Sequence, residues 1–267
     1  MLKKLISLFI PSVILLSACG NTDDTPQPAD DSTLSSQTSH AQDTSSQVDS
    51  TKEEEEEVDE HIAEIDDETG LHVVDNPESM LVYVNKQRML PKGYEPPDLR
   101  VPEVAHRYEA GHMETQLRDE AATALEELFV DASDASLEFM TISGYRSYDR
   151  QNTIYYNVIN TYGQDYADQY SAFPGTSEHQ TGLAIDIRYK DDSKESKLEE
   201  SFGDTEHGLW LADHAHEYGF IIRYLKGKED ITGYSYEPWH VRYVGKEVAE
   251  EIFSNDLSLE EYFGFDY

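Results

Sequence analysis

Three stretches of the chain hold the residues best suited to chemistry. They are Ser143-Gly144-Tyr145-Arg146-Ser147 with Gln151 just beyond, the run from Pro174 to Asp186 (PGTSEHQTGLAID), and Tyr236-Glu237-Pro238-Trp239-His240-Val241-Arg242-Tyr243. The 267-residue sequence has one cysteine. A thiolate cluster is therefore excluded, and any metal site must be built from His and carboxylates. A catalytic zinc needs three such ligands and an open fourth position. His179 precedes a Gly-containing turn and Asp186 follows it on a strand-like segment, so the two converge if the chain reverses near Thr181 and Gly182. His240 is the best third candidate, because Glu237 stands three residues before it. A carboxylate so placed can act as general base toward the reacting water without binding the metal itself.

The remaining histidines have plainer explanations. His207, His214 and His216 flank a helical pattern whose Leu209, Trp210, Leu211 and Ala215 read as core, so packing accounts for them. His40, His61, His72, His106 and His112 have no acidic or aromatic partner at an informative spacing. Trp210 and Trp239 read as hydrophobic bulk. Glu178 reads as an exposed charge beside a ligand, without a role of its own.

Positioning these residues requires a folded domain, and composition allows one. Apolar residues make up 38% of the chain and aromatics 11%, enough to bury a core. No internal repeat or Gly/Ser-rich linker divides residues 71–267, which read as one α+β domain with a small antiparallel sheet flanked by helices. Leu81-Val82-Tyr83-Val84 is strand-like, and the prolines at 91, 96, 97 and 102 make residues 90–102 an extended arm. Leu117, Ala121, Ala124, Leu125 and Leu128 recur at helical spacing and predict a helix over residues 114–130. Residues 137–142 predict a strand that ends at Ser143-Gly144, and residues 148–162 a second helix. Further strands are expected at 184–187, 220–223 and 240–244, with helices at 208–218 and 245–253.

The N-terminus reads as an address. Lys3 and Lys4 precede an apolar run from Leu5 to Leu16, and Leu16-Ser17-Ala18-Cys19 closes it. The run is too short to span a membrane and has the layout of a secretory signal. Residues 1–19 resemble a signal peptide ending in a lipoprotein lipobox, which makes Cys19 a lipidation site and not a nucleophile. Residues 20–70 lack aromatics and hold 17 acidic residues against one basic, so they read as a disordered tether with a reach on the order of 40 Å. The location these features predict is extracytoplasmic, lipid-anchored to a bacterial cell membrane. A formal net charge of −35 would repel a phosphate backbone, so no nucleic acid partner is expected. A monomer is expected.

Taken together, the motifs resemble those of the VanY-type zinc D-Ala-D-Ala carboxypeptidase family and its L,D-carboxypeptidase relatives of the LdcB type. The pattern Ser-x-His-x-x-Gly-x-Ala-x-Asp is matched at Ser177, His179, Gly182, Ala184 and Asp186, and Glu-x-Trp-His at Glu237, Trp239 and His240. The similarity runs from about Leu81 to Ile252, with one departure at Phe173, where many relatives carry Arg. The resemblance implies zinc as the cofactor, held by His179, Asp186 and His240, with Glu237 moving the proton and Arg146 near the scissile carbonyl or the terminal carboxylate. Ser177 and Gln151 would be neutral donors to that carboxylate. The implied substrates are peptidoglycan stem peptides that lose a C-terminal D-alanine, from either a pentapeptide or a tetrapeptide end. A non-catalytic envelope-binding lipoprotein would have no use for Glu237 beside an open metal position. A murein endopeptidase would need a groove open at both ends.

Overall fold

The computed structural model describes residues 64–109, 111–191 and 197–264. The signal segment, Cys19 and residues 20–63 of the expected tether lie outside the described residues. The tether boundary placed at residue 70 moves back. Strand β1 (Glu64–Ile65) pairs antiparallel with β2 (His72–Val73), and the Asp66 carboxylate accepts from the Thr69 backbone N–H at 2.8 Å to hold the turn between them.

The central sheet has four antiparallel strands: β6 (Phe139–Ser143), β7 (Ala184–Tyr189), β8 (Phe220–Tyr224) and β9 (Glu237–Tyr243), in the order β6-β7-β9-β8. Alternation sorts their side chains by face. Ile185, Ile187, Val241 and Tyr243 enter the main hydrophobic cluster, where they meet Leu125 and Leu128 of helix α1 (Asp119–Asp134) and Leu211 of α4 (Glu206–His214). Asp186, Arg188, His240 and Arg242 point the other way and are nonetheless buried. The sheet thus carries an apolar face and a buried polar face, and the polar one is where chemistry can happen. The expected α+β class, with a small antiparallel sheet flanked by helices, describes this architecture.

Several local expectations shift. Helix α1 begins at Asp119 and not at residue 114, because Leu117–Arg118 forms β5, which pairs with β4 (Leu99–Arg100), and Met113–Thr115 is a short 3₁₀ turn. Glu114 is drawn out of the helical pattern by its partners, accepting from Arg150 Nε at 2.9 Å and Ser143 Oγ at 3.0 Å. Residues 81–84 form no strand. Val82, Tyr83 and Val84 are fully buried as an extended segment before β3 (Arg88–Met89), and the backbone carbonyl of Val82 is taken by Arg242 at 2.6 Å instead of a ladder. Helix α2 (Tyr148–Tyr162) matches its expected span, capped by Ser147 Oγ accepting from the Arg150 N–H and stopped at Gly163. A short α3 (Gln164–Tyr170) follows it. The helix expected over residues 208–218 tightens into a 3₁₀ turn at Ala215–Tyr218. Beyond α5 (Glu229–Thr232) the described residues end in α6 (Lys246–Ser254) and an additional helix, α7 (Leu259–Phe263), which opens with a capping box at Ser258 and Glu261.

Candidate active site

Two chain features bring the site together. The first is strand register: Asp186 on β7 lies directly opposite His240 on β9, so sheet pairing alone places two candidate ligands side by side. The second is a reversal after the 3₁₀ turn Glu178–Thr181, at Gly182, whose φ of 68° favours glycine. A Cβ there would also lie 2.9 Å from Leu99 Cδ2 and 3.0 Å from Arg118 Cγ. That turn swings His179 back over the start of β7. Its ring is then held by Nδ1 hydrogen-bonded to the Gly144 carbonyl at 2.8 Å. Gly144 is itself forced, since a Cβ at that position would meet the Gln116 carbonyl oxygen at 2.5 Å.

The three side chains offer ligand atoms that all lie within 4.8 Å of one another, and all three residues are buried. His179 Nε2 is 3.6 Å from Asp186 Oδ2, and His240 Nδ1 is 3.2 Å from Asp186 Oδ1. Two imidazoles and a carboxylate are the donor set of a catalytic zinc that keeps a position open. The protonation states agree with that use. Burial, with the Arg146 charge beside it, depresses the His179 pKa to about 3, so its Nε2 lone pair is available. Burial also opposes a charge on His240, but the Asp186 and Glu178 carboxylates outweigh it and raise this pKa to about 9. The site is thus rich enough in negative charge to hold a cation at Nδ1. Zinc fits these residues, and its binding would compete with that proton.

Glu237 opens β9 beside the ligands, with Oε2 3.8 Å from His240 Nδ1. Burial raises its pKa to about 7, against the pull of His240. A carboxylate poised there can accept and return a proton near neutrality. The cavity in front of it has a volume of about 260 Å³, with Arg146, Gln151, Ser177, Tyr224, Tyr234 and Trp239 in its wall. Arg146 Nε is buried and has no hydrogen-bond partner among the described residues.

Both expected substrate-binding residues lie in the cavity wall. Gln151 is buried, and its Nε2 donates to the Ala172 carbonyl at 2.8 Å. A carbonyl can only accept, so the amide orientation is fixed: Nε2 keeps a second N–H, and the buried Oε1 has no partner among the described residues. The second Nε2 N–H keeps Gln151 able to donate to a carboxylate. Ser177 is buried in the cavity wall, and its side chain caps nothing. Phe173, the position that departs from the family pattern, packs edge-on against Tyr155 with ring centroids 5.5 Å apart.

Glu178 is the residue that sequence reasoning missed. It is 2% exposed, not a surface charge, and its Oε2 lies 3.4 Å from His240 Nε2. Burial works against its charge, yet Arg223 and Arg242 hold the carboxyl far below the usual range. A carboxylate on the far nitrogen of a ligating imidazole fixes its tautomer and leaves Nδ1 for the metal. A signal was present in the sequence. Arg223 and Arg242 sit among apolar residues on strands, which requires a buried acid nearby. Tyr224 also went unnoticed, and its ring centroid lies 5.0 Å from that of His240. The remaining histidines stay structural where described. His207 packs edge-on against Phe139, His214 stacks on Trp210 and His216 on Phe253.

Comparison with known proteins gives the same direction. The family model described as VanY, D-alanyl-D-alanine carboxypeptidase, matches residues 114–246. YodJ of Bacillus subtilis (strain 168), named as a candidate carboxypeptidase, is 51% identical over 194 residues, 73% of this chain and 70% of its own. A solved structure of the LdcB LD-carboxypeptidase superposes with a TM-score of 0.70 at 50% identity, covering 76% of this chain and 92% of that one. A zinc complex of a vancomycin-resistance D,D-pentapeptidase, VanY, gives 0.57 at 32% identity, covering 69% and 99%.

Proposed function

Because the chain belongs to the VanY family of D-alanyl-D-alanine carboxypeptidases, we propose that it removes the C-terminal D-alanine from peptidoglycan stem peptides, working from the side chains gathered around His179, Asp186 and His240. It is a zinc metallocarboxypeptidase. The observation that carries the proposal is one cavity holding a His-Asp-His donor set, a carboxylate whose pKa is raised to about 7, and a buried guanidinium nitrogen without a partner.

The roles divide as follows. His179, Asp186 and His240 would hold zinc, which when bound supplies a Lewis acid that polarises the scissile carbonyl and makes water a nucleophile near neutral pH. Glu237 takes a proton from the attacking water at Oε2 and delivers it to the amine nitrogen as the C–N bond breaks. Arg146 receives the terminal carboxylate that marks an exo-acting enzyme, with the Ser177 hydroxyl beside it. Gln151 Oε1 accepts from a substrate N–H. Tyr224, Tyr234 and Trp239 wall the cavity and exclude water, which strengthens each of these contacts.

The scissile bond is one residue further inward in a tetrapeptide stem than in a pentapeptide. The family description favours the D-Ala-D-Ala bond of a pentapeptide. The higher similarity to the LdcB LD-carboxypeptidase favours the L,D bond of a tetrapeptide, and we take this as the primary substrate. Incubation with synthetic tetra- and pentapeptide stems, with product masses read over time, should give a kcat/KM at least about tenfold higher for the tetrapeptide. A preference of that size for the pentapeptide would restore the D,D reading.

Cys19 is proposed as the lipid anchor, with the acidic segment after it as a spacer that holds the enzyme outside the cytoplasmic membrane. Two acyl chains on one cysteine give stable membrane attachment. Cys19→Ser should move the protein from the membrane to the soluble fraction without altering peptidase activity. Persistent membrane association in that variant would assign attachment to an uncleaved apolar segment.

A further inference from the structure

Behind the metal ligands lies a fully buried charge cluster that reaches the C-terminal helix. Glu178, Arg223, Arg242 and Glu260 have completely inaccessible side chains. Their contacts run in a defined order. Glu260 on α7 takes both terminal nitrogens of Arg223, Nη2 to Oε1 at 2.6 Å and Nη1 to Oε2 at 2.8 Å. Arg223 Nε then donates to Glu178 Oε1 at 2.7 Å, and Arg242 Nη1 donates to the same oxygen at 2.9 Å. Glu178 Oε2 is left for His240 Nε2. Two cations meet two anions, so the cluster is neutral as a whole.

The geometry gives Glu260 a task that its neighbours cannot perform. A guanidinium is a rigid planar fork that prefers to grip a carboxylate through both oxygens. With Glu260 occupying its two outer nitrogens, Arg223 can reach Glu178 only through Nε, and only at Oε1. Without that charge the fork is free to turn and take both oxygens of Glu178, drawing Oε2 away from His240. Helix α7 is well anchored for this purpose. Leu259 is buried with Tyr83, Ile221 and Ile252, and Lys228 holds Glu261 at 2.8 Å. It also lies past residue 246, where the match to the family model ends.

We propose that Glu260 is a positioning residue for the zinc site, acting through Arg223 and Glu178 to keep His240 in the tautomer that turns Nδ1 toward the metal. The proposal rests on His240 being a zinc ligand. Carboxylates and carbonyls that orient a ligating histidine typically change metal affinity 10- to 100-fold when removed, and an effect one residue further out should fall near the lower end.

The test uses the full chain and zinc alone, with affinity measured by competition against a chromogenic chelator. Glu260→Gln keeps the side chain's size and removes its charge, and should weaken zinc binding about tenfold. Glu260→Asp keeps the charge and should recover part of the loss, which guards against a Gln variant that folds poorly. Leu128→Ala, a core truncation remote from the cluster, should lower Tm while leaving zinc affinity within about twofold. In the zinc-loaded wild type the His240 Nε2–H proton should give a distinct downfield NMR signal that shifts in Glu260→Gln. Wild-type zinc affinity in Glu260→Gln, with or without a lower Tm, would overturn the proposal and leave the ligand assignment standing. Undiminished zinc binding by His240→Ala would instead remove His240 from the site, and the positioning role with it.

Discussion

Glu237→Gln should hydrolyse stem peptides at least roughly 100-fold more slowly than the wild type while still holding its zinc. Glutamine keeps the shape of the side chain and its hydrogen-bonding reach but cannot accept a proton. Glu237 stands outside the donor set and next to it, 3.8 Å from His240 Nδ1, so its loss should leave metal affinity nearly intact. The loss should fall on kcat, since proton transfer belongs to the transition state and not to substrate binding. Burial has already raised its pKa to about 7, and the carboxylate form is the one that works, so activity should fall as pH drops through the pKa of the zinc-loaded enzyme. A bound dication lowers that pKa, which places the acid limb of the pH profile below 7. Near-normal turnover by the Gln variant would assign the proton transfer to another group.

Amidating the C-terminus of the substrate should cost on the order of 30- to 1000-fold in kcat/KM, equivalent to about 2 to 4 kcal/mol. The basis is Arg146, whose Nε is buried in the cavity wall without a partner. A terminal carboxylate satisfies it with a charge-assisted hydrogen bond, whereas a neutral amide leaves a buried cation facing an amide that also donates. Gln151 cannot compensate, because the N–H it has left beside its bond to the Ala172 carbonyl is a neutral donor and not a charge. Arg146→Lys should recover little of the activity lost on truncation of Arg146, since a point charge on a flexible stem does not reproduce a planar fork. Equal cleavage of free and amidated peptides at the same bond would point to an endopeptidase.

The grouping of His179 with Asp186, and of Glu237 with His240, was legible in the sequence because the spacing within each pair is set by short-range geometry. A turn between His179 and Asp186, and the two residues that separate Glu237 from His240, are local facts that the fold preserves. Helix α2 was legible for the same reason, with its cap at Ser147 and its stop at Gly163 both written beside it. Arg223 and Arg242 signal a buried acid but not which one, because Glu178 lies 45 and 64 residues from them and only the fold brings them together. The start of α1 was misplaced because an apolar period cannot distinguish the strand residue Leu117 from a first helical turn. Residues 81–84 have the composition of a strand, yet the Val82 carbonyl goes to the Arg242 side chain, a tertiary choice that no local pattern encodes.

The central claim is that His179, Asp186 and His240 hold a catalytic zinc that this chain uses to release a terminal D-alanine. The most direct measurement follows D-alanine release from a stem tetrapeptide while zinc is stripped with a chelator and restored, with metal content read in parallel for the wild type and His240→Ala. The wild type should carry about one zinc per chain, lose activity with it and regain both together, and His240→Ala should have neither. Turnover that persists in the zinc-free protein, or full zinc occupancy in His240→Ala, would contradict the claim.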